Sequence, residues 1–285
     1  TQYTYGVGAV LPTDVTRDGY TFDGWYEYES GPRVYSISTT DLEDKTYTAR
    51  WSANKYKITY HNMDGAVNHP NNLDKYTYGV GLTLGNPTKT GHNFEGWFRD
   101  AGFTNLITAI SKTDIGPIDV YAKWTPQVYN VTLNTDGGTL ANGSNITSYT
   151  YGSAVLLPTA DKISKPGYTF LGWFEDSDFK TPAGGSAGGP AIPEGRTGDV
   201  TFYTKWQANT YTVRFHPNGG SGSMADQTFT WGVEQALRSN TFTRNGYSFA
   251  GWATSAFGSK VYSNGQKVKN LTEANGGEIN LYAVW

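Results

Sequence analysis

Histidine is the side chain most often used as a general base or metal ligand near neutral pH, and this chain has four. His61 and His216 each end an alternating strand pattern, where a third copy of the pattern has Asn134. A position shared by His and Asn beside a turn usually serves to hydrogen-bond backbone groups. His92 stands where equivalent segments carry tyrosine, and His69 lies in a polar loop. Because no second ligand recurs beside any of them, we expect no catalytic or metal-binding histidine.

Carboxylates and glycine-rich stretches offer no stronger catalytic candidate. Asp23 and Glu95 are replaced at equivalent positions by an aliphatic residue, so we interpret them as exposed, interchangeable sites rather than the paired acids of a glycosidase. The stretch 183–189 is rich in glycine, but no lysine follows it at the spacing of a phosphate-binding loop. We therefore predict a flexible loop insertion at 183–189, no enzymatic activity, and no cofactor or metal.

Two sets of residues are candidates for ligand binding. A basic residue recurs two positions before a turn glycine, at Arg17, Lys89, Lys165 and Arg244. Either its side chain lies over a neighbouring ring, or the four form a row of cations that meets an anionic polymer. The second set consists of flat rings that could stack on sugars or cover cross-strand neighbours. These rings are Trp231, which replaces a recurring tyrosine, and the outward-facing Tyr121, Tyr203 and Tyr282.

Composition excludes several classes of partner. The formal charge of −3 and the scattered basic residues provide no field that would attract nucleic acid. No apolar run approaches the length of a membrane span, so we expect no membrane insertion. The chain has no cysteine, which rules out thiol chemistry and disulfides but suits an exported protein. Its start has no export signal, and we interpret the chain as a mature or excised fragment.

These residues belong to four copies of one pattern, about 75 residues apart. Each copy carries the tag Phe-x-Gly-Trp, at Phe22 to Trp25, Phe94 to Trp97, Phe170 to Trp173 and Phe249 to Trp252. Each copy ends on a further tryptophan, at Trp51, Trp124, Trp206 and Trp285. We predict that the Phe and Trp of each tag, together with the closing Trp, form the structural core of each copy. Large rings let a small core suffice without disulfides.

The elements that position the tags are short strands and turns. Three copies begin with an alternating opening strand that runs into Asp-Gly or Asn-Gly, the strongest short-range signal for a β-hairpin. A second strand, a proline-containing crossing segment with room only for a short helical turn, the tag strand and a closing strand follow. Phe and Trp of the tag are three residues apart, so the glycine between them predicts a β-bulge that lets both rings pack. The first copy lacks the opening strand.

Domain boundaries follow from the repeat. We assign repeat 1 to residues 1–51, repeat 2 to 52–124, repeat 3 to 125–206 and repeat 4 to 207–285. Linkers between a closing tryptophan and the next opening aromatic are very short, which limits reorientation. With each repeat roughly 25 to 30 Å across, we expect a monomeric rod of about 100 to 120 Å.

The assembled tags resemble the Listeria-Bacteroides repeat, also known as the internalin B B-repeat family. The match is strongest in repeat 4, which has Asn-Gly-Gly, an aromatic-Gly pair, Gly-Tyr-x-Phe-x-Gly-Trp and a closing Leu-Tyr-Ala-Val-Trp. The resemblance implies a mainly β fold of the α+β β-grasp, ubiquitin-like type, arranged in tandem in large bacterial surface proteins. It implies stalk, adhesive or interaction roles and carries no catalytic residues.

The sequence therefore favours a non-enzymatic extracellular array, on the bacterial cell surface or secreted. Such an array spaces an adhesive head or binds a host or neighbouring-cell surface protein or glycan, and both reach and avidity grow with copy number. A carbohydrate-binding accessory region of a secreted carbohydrate-active enzyme is the alternative. A third hypothesis is covalent reinforcement by Lys to Asn isopeptide bonds.

Overall fold

The structure, a computed structural model, describes residues 2–186 and 189–285. In this part of the chain the only helical element is one 3-10 turn, Ala160–Lys162, directly after the crossing segment of repeat 3. All other elements are strands, which confirms the predicted mainly β class with tandem repeats. The chain forms two compact units, residues 1–127 and 128–285. The first unit holds repeats 1 and 2, and the second holds repeats 3 and 4.

The described part of the first unit contains fourteen strands. Those of repeat 1 are β1 (Ala9–Val10), β2 (Tyr20–Tyr26), β3 (Arg33–Val34), β4 (Ser36–Ile37) and β5 (Thr48–Ala53). Those of repeat 2 are β6 (Lys55–His61), β7 (Ala66–Val67), β8 (Lys75–Thr77), β9 (Leu82–Thr83), β10 (Thr88–Lys89), β11 (His92–Phe98), β12 (Leu106–Ile107), β13 (Ala109–Ile110) and β14 (Ile118–Pro126).

In the described part of the second unit, repeat 3 has nine strands, as repeat 2 does, and repeat 4 has six. Repeat 3 contains β15 (Val128–Asn134), β16 (Thr139–Leu140), β17 (Ser148–Thr150), β18 (Val155–Leu156), β19 (Ile163–Ser164), β20 (Tyr168–Phe174), β21 (Gly185–Ser186), β22 (Gly189–Ile192) and β23 (Val200–Ala208). Repeat 4 contains β24 (Thr210–His216), β25 (Gln227–Thr230), β26 (Gln235–Ala236), β27 (Gly251–Ala253), β28 (Lys267–Val268) and β29 (Gly277–Val284).

Each of repeats 2, 3 and 4 is built around its own mixed sheet. In repeat 4 the strand order is β25-β24-β29-β27, so the opening strand β24 and the closing strand β29 lie at the centre. These two strands are parallel, and both outer pairings are antiparallel. Repeats 2 and 3 repeat this order with β8-β6-β14-β11 and β17-β15-β23-β20. A parallel central pair requires a crossover connection, which the intervening elements provide.

Short ladders occupy the crossover instead of a long helix. In repeat 2, β9 pairs with β13 and β7 pairs with β10. Leu82 of β9 and Ile110 of β13 pack with Ile58, Tyr76 and Trp97 of the main sheet. The ladders therefore close one face of the sheet over the core, as a helix does in an α+β fold.

The opening strand pairs antiparallel with the second strand, as predicted, but the glycine turn does not join these two strands directly. Asp136 and Asn218 adopt positive φ of 46° and 45°, as the Asp-Gly and Asn-Gly signals require. The chain then enters β16, which pairs with β19, while the opening strand β15 pairs with the later strand β17. After the turn, Gly138 lies against the closing Trp206, with no room for a Cβ atom.

The tag glycines form the predicted β-bulges. The register with the closing strand shifts between Phe22 and Gly24, and it shifts at the corresponding residues of repeats 2 and 3. Gly24 has a φ of 138°, a conformation that side chains disfavour. The bulge brings both tag rings to one side of the strand, and the centroids of Phe22 and Trp25 lie 5.5 Å apart.

The core of repeats 2, 3 and 4 lies between the sheet and the ladders. The tag tryptophans Trp97, Trp173 and Trp252 are 2%, 2% and 0% exposed, and the closing tryptophans Trp124, Trp206 and Trp285 pack against them at the edge of each cluster. The tag phenylalanines Phe94, Phe170 and Phe249 are partly buried in the same clusters. In the described part of repeat 1, Phe22 contacts both Trp25 and Trp51, but none of the three is fully buried.

Candidate functional site

The four basic residues at the turns lie over rings of their own repeat. The guanidinium carbon of Arg17 is 4.1 Å from the ring centroid of Tyr20, and Arg244 has the same distance to Tyr247. The Lys165 ammonium lies 4.6 Å from the ring of Tyr168. These distances are those of cation–π contacts, which contribute about 0.5 to 1 kcal/mol at exposed sites.

Lys165 also forms hydrogen bonds, and Lys89 lies near a closing tryptophan. Lys165 donates hydrogen bonds to the carbonyl and carboxylate of Asp136, at 2.7 and 3.1 Å. The Lys89 ammonium lies 5.8 Å from the ring of the closing Trp124. Arg17 is exposed, whereas the other three side chains are half-buried. The turn geometry explains why a basic residue recurs, and binding to an anionic polymer stays a prediction.

Trp231 lies at a joint between repeats 3 and 4. Its indole covers Gly167, the turn glycine of repeat 3, and a Cβ atom at Gly167 would overlap the indole ring. The backbone of Asn209 links the two sides, since its N–H donates to Gly167 O at 2.9 Å and its carbonyl accepts from the Trp231 N–H at 2.8 Å. The Asn209 side chain accepts a hydrogen bond from Thr169 and donates to the Glu273 carbonyl.

Repeats 1 and 2 are joined in the same way. Tyr78 takes the place of Trp231, and its ring covers Gly19, where a Cβ atom would again overlap the ring. Asn54 takes the place of Asn209, donating to Gly19 O and accepting from the Tyr78 N–H, both at 2.9 Å. The Tyr20 and Tyr78 rings meet edge to face with centroids 5.2 Å apart. We name this arrangement of turn glycine, linker asparagine and covering ring the glycine–ring joint.

The outer face of the sheet carries His–Tyr stacks in repeats 2 and 4, whereas Tyr203 of repeat 3 lies opposite Asn134. His61 stacks on Tyr121 with centroids 4.4 Å apart, and its Nε2 lies 2.8 Å from the Asp119 carboxylate. Repeat 4 has the same stack between His216 and Tyr282, at 4.6 Å. The prediction that these histidines hydrogen-bond backbone groups is therefore wrong for both. Their rings point across the sheet, because strand register places each beside the tyrosine of the closing strand.

The remaining polar candidates form hydrogen bonds with residues close to them in sequence. His92 Nδ1 lies 2.9 Å from the Thr90 carbonyl, and His69 Nδ1 accepts a hydrogen bond from the Asn71 N–H. Asn134 does bond a backbone group, accepting from the Asp136 N–H at 3.1 Å. Among the described residues no group of three or more His, Asp or Glu side chains is arranged to hold a metal ion.

The glycine-rich stretch 183–189 lies partly outside the described residues, at positions 187 and 188. On either side of them, β21 and β22 pair in antiparallel register, with Gly185 opposite Pro190. β22 also pairs with β18, so the described part of the predicted loop belongs to a ladder of repeat 3.

Sequence reasoning missed a fully exposed aromatic ring in repeat 4 and a cavity in repeat 1. Phe257 is 103% exposed, in a loop whose counterparts Phe103 and Phe179 pack on Phe98 and Phe174. The signal that could have predicted this exposure is Ala253, which repeat 4 has at the position of Phe98, so that Phe257 has no ring beneath it.

The cavity lies in repeat 1 and has a volume of about 690 Å³. Its lining includes Leu11, Trp25, Ile37, Asp44 and Tyr47. No single residue type marks it.

The family model of the Listeria-Bacteroides repeat domain matches the chain four times, at residues 1–49, 56–123, 129–205 and 211–284. The chain therefore belongs to the Listeria-Bacteroides repeat family, and the resemblance predicted from the tags is confirmed.

Three relatives share part of their length with this chain. A protein of Evansella cellulosilytica named as a Gly-rich membrane protein is 29% identical over 87% of the chain, and a second one, named as a membrane protein, is 29% identical over 96%. Internalin H of Listeria monocytogenes is 33% identical over 51% of the chain. The chain spans only 27%, 40% and 27% of the lengths of these relatives. None of the described residues forms a helix with the length and apolarity needed to cross a membrane.

Proposed function

We propose that this chain is a non-enzymatic, extracellular repeat segment of a bacterial surface protein, which spaces a head domain and contributes adhesive contacts. The observation that carries the proposal is the glycine–ring joint, built from the same parts between repeats 1 and 2 and between repeats 3 and 4. A flexible tether needs no fixed contact between repeats, whereas a spacer that holds a head domain at a distance does. The names of the relatives, a membrane protein and an internalin, support a location at the cell surface.

We further propose that each complete repeat is a β-grasp module. The support is the central parallel pair of opening and closing strands, flanked by antiparallel second and tag strands. Ladders occupy the place of the β-grasp helix. The absence of catalysis is part of the same proposal, because acidic positions are interchangeable between copies and polar side chains are committed to turns, stacks and joints.

Small-angle X-ray scattering of the full chain tests the spacer role. A rod of about 100 to 120 Å gives a radius of gyration of about 30 Å, whereas a compact chain of this length gives about 19 Å. A value near 19 Å would contradict the proposal. Beads coated with the chain test adhesion, and binding to target cells should grow with surface density because weak contacts add through avidity.

The carbohydrate-binding alternative rests on Trp231 as a sugar platform. One face of that indole is occupied by Gly167 of the preceding repeat, which does not favour this role. A glycan array separates the two functions, since specific binding that Trp231→Ala removes would support the accessory region. Loss of binding also on Gly167→Ala, which displaces the indole without removing it, would attribute the effect to the joint. For the isopeptide hypothesis, intact mass is the test, and no lysine ammonium in the described chain hydrogen-bonds to an asparagine side chain.

A further inference from the structure

Successive repeats are joined directly from strand to strand. The closing strand β5 ends at Ala53, and the opening strand β6 of the next repeat begins at Lys55. The same single-residue spacing joins β23, which ends at Ala208, to β24, which begins at Thr210. Tension along the chain would therefore enter a repeat at the start of its opening strand and leave at the end of its closing strand, with almost no slack between repeats.

The parallel pairing of these two strands decides how such tension acts on a repeat. In repeat 4 the register runs from Tyr211 opposite Gly277 to His216 opposite Tyr282. Because parallel strands start at the same end of the sheet, the start of β24 and the end of β29 lie at opposite ends of the pair. Tension applied there loads all the main-chain hydrogen bonds of the pair at once, in shear. An antiparallel pair pulled in the same way would open one bond at a time.

The hydrogen bonds of the parallel pair are shielded from water. In repeats 2, 3 and 4 the pair lies at the centre of the sheet, between the second strand and the tag strand. Val213 and Leu281, which face the core from the two strands of repeat 4, are both 0% exposed. Water therefore cannot easily replace a stretched main-chain bond, and a buried donor left without a partner costs its full desolvation penalty.

Polar side chains also link the opening strand to the closing strand in each of these repeats. The links are Arg214 to Glu278 at 3.0 Å and His216 to Asn280 at 2.6 Å in repeat 4, His61 to Asp119 at 2.8 Å in repeat 2, and Asn130 to Asp199 at 3.1 Å in repeat 3. The residue types differ between copies, but the two strands that they join are the same. These links cross the boundary that tension would shear.

We propose that the parallel pair of opening and closing strands is a mechanical clamp, which lets repeats 2, 3 and 4 bear tension without unfolding. Repeat 4 is the strongest, because its register covers the six residues 211–216, whereas those of repeats 2 and 3 cover only the four residues 58–61 and 131–134. The biological use of the clamp rests on the proposed function, since a spacer between a cell surface and a bound head is pulled. The clamp itself depends only on the topology of each repeat, so its failure would leave the scattering test of the spacer unaffected.

The direction of pulling tests the clamp in single-molecule force spectroscopy of the full chain. The chain has no cysteine, so a pair of introduced cysteines directs force to chosen residues. Thr210→Cys with Val284→Cys loads repeat 4 along the clamp. Ser221→Cys with Val284→Cys pulls the two strands apart from one end, because the preceding Gly220 lies against Trp285. We expect the first direction to need at least about twofold more force at the same loading rate. Equal forces would overturn the proposal.

The ranking of the repeats is tested with the same method. Lys55→Cys with Thr125→Cys loads the clamp of repeat 2, and Val128→Cys with Gln207→Cys loads that of repeat 3. Both repeats should unfold at lower force than repeat 4. A repeat 4 that is weaker than either would show that the length of the parallel pair does not set the strength, which would contradict the clamp.

Matched variants of repeat 4 test whether the side-chain links belong to the clamp. Glu278→Gln breaks the ion pair with Arg214, and it should raise the unfolding rate at constant force along the clamp by about two- to fivefold, because exposed ion pairs are weak. Glu234→Gln is the control, since it removes an ion pair with Lys267 that lies outside the clamp. Hydrogen exchange without force checks that repeat 4 is folded in both variants. Equal rates for the two variants would overturn the assignment of these links to the clamp.

Discussion

Repeats 1 and 4 carry the same aromatic tags, yet only repeat 4 has a closed core. The tag rings are spaced alike, with Phe22 and Trp25 5.5 Å apart and Phe249 and Trp252 4.9 Å apart. Trp252 is 0% exposed, whereas Trp25 is only partly buried. The difference is the opening strand, which places Phe215 4.9 Å from the Trp252 ring. The tags therefore make an aromatic cluster, and the opening strand converts that cluster into a core.

The largest expected effect comes from removing the tag tryptophan in each repeat. Trp252→Ala should lower the free energy of unfolding of repeat 4 by about 3 to 5 kcal/mol, because it leaves a large cavity in a closed core. Trp25→Ala should lower that of repeat 1 by only about 1 to 2 kcal/mol, because less apolar surface is removed from contact. Urea unfolding followed by hydrogen exchange resolves each repeat separately.

This comparison has a clear opposite outcome. Equal losses in the two repeats would mean that Trp25 is as well covered as Trp252, and that Phe215 of the opening strand adds little to the core of repeat 4. Phe249→Leu, which conserves most of the apolar volume at a partly buried position, serves as the control and should cost less than either change.

At the turn glycines, repeat 1 is more closely packed than repeat 4. Gly19 and Gly246 have φ of 77° and 76°, so alanine costs about 1 kcal/mol of backbone strain at both. Tyr78 covers Gly19, while a Cβ atom at Gly246 meets nothing within 4 Å. Gly19→Ala should therefore cost about 1 to 3 kcal/mol more than Gly246→Ala, because the ring must move away.

Differential scanning calorimetry of the two variants measures this difference. Gly167→Ala, under Trp231, should behave like Gly19→Ala and not like Gly246→Ala. If all three variants lose the same amount, the rings do not rest on the glycines in solution, and the glycine–ring joint does not stiffen the array.

Much of each repeat could be predicted from the sequence, because it depends on patterns of residues that are close in sequence. The bulge at Gly24 followed from two rings three residues apart, and the core face of the closing strand followed from alternation. The glycine–ring joint could not be predicted in this way, since Trp231 and Gly167 belong to different repeats and share no periodicity. The recurrence of asparagine in two linkers, at Asn54 and Asn209, was the available signal.

One error has a clear physical cause. His61 was assigned to the nearest backbone groups, whereas its partner Asp119 is distant in sequence, because the central parallel pair makes the strands β6 and β14 neighbours across a long crossover. Such pairings depend on the topology of the whole repeat, and short-range turn and strand signals carry no information about them.

The smallest expected effect is a pH dependence of the contact between opening and closing strands, which repeat 3 has and repeat 1 lacks. The backbone N–H of Asn130, and then its side-chain amide, hold the pKa of Asp199 below its ordinary value of 3.8. A carboxyl with a lowered folded-state pKa adds stability that is complete above its unfolded pKa and is lost as pH falls through the folded pKa. Exchange protection of β15 should therefore fall below about pH 4.

Other carboxyl groups titrate in the same range, so the informative quantity is the difference between the unaltered chain and Asp199→Asn. The variant keeps an acceptor for the Asn130 N–H but cannot titrate, and its β15 protection should change less with pH. The effect is small, because the carboxylate is exposed to solvent and screened. It should also be confined to repeat 3, where Asp199 accepts hydrogen bonds from Asn130 of β15. Equal pH profiles for the two proteins would show that Asp199 does not help to hold the opening strand β15.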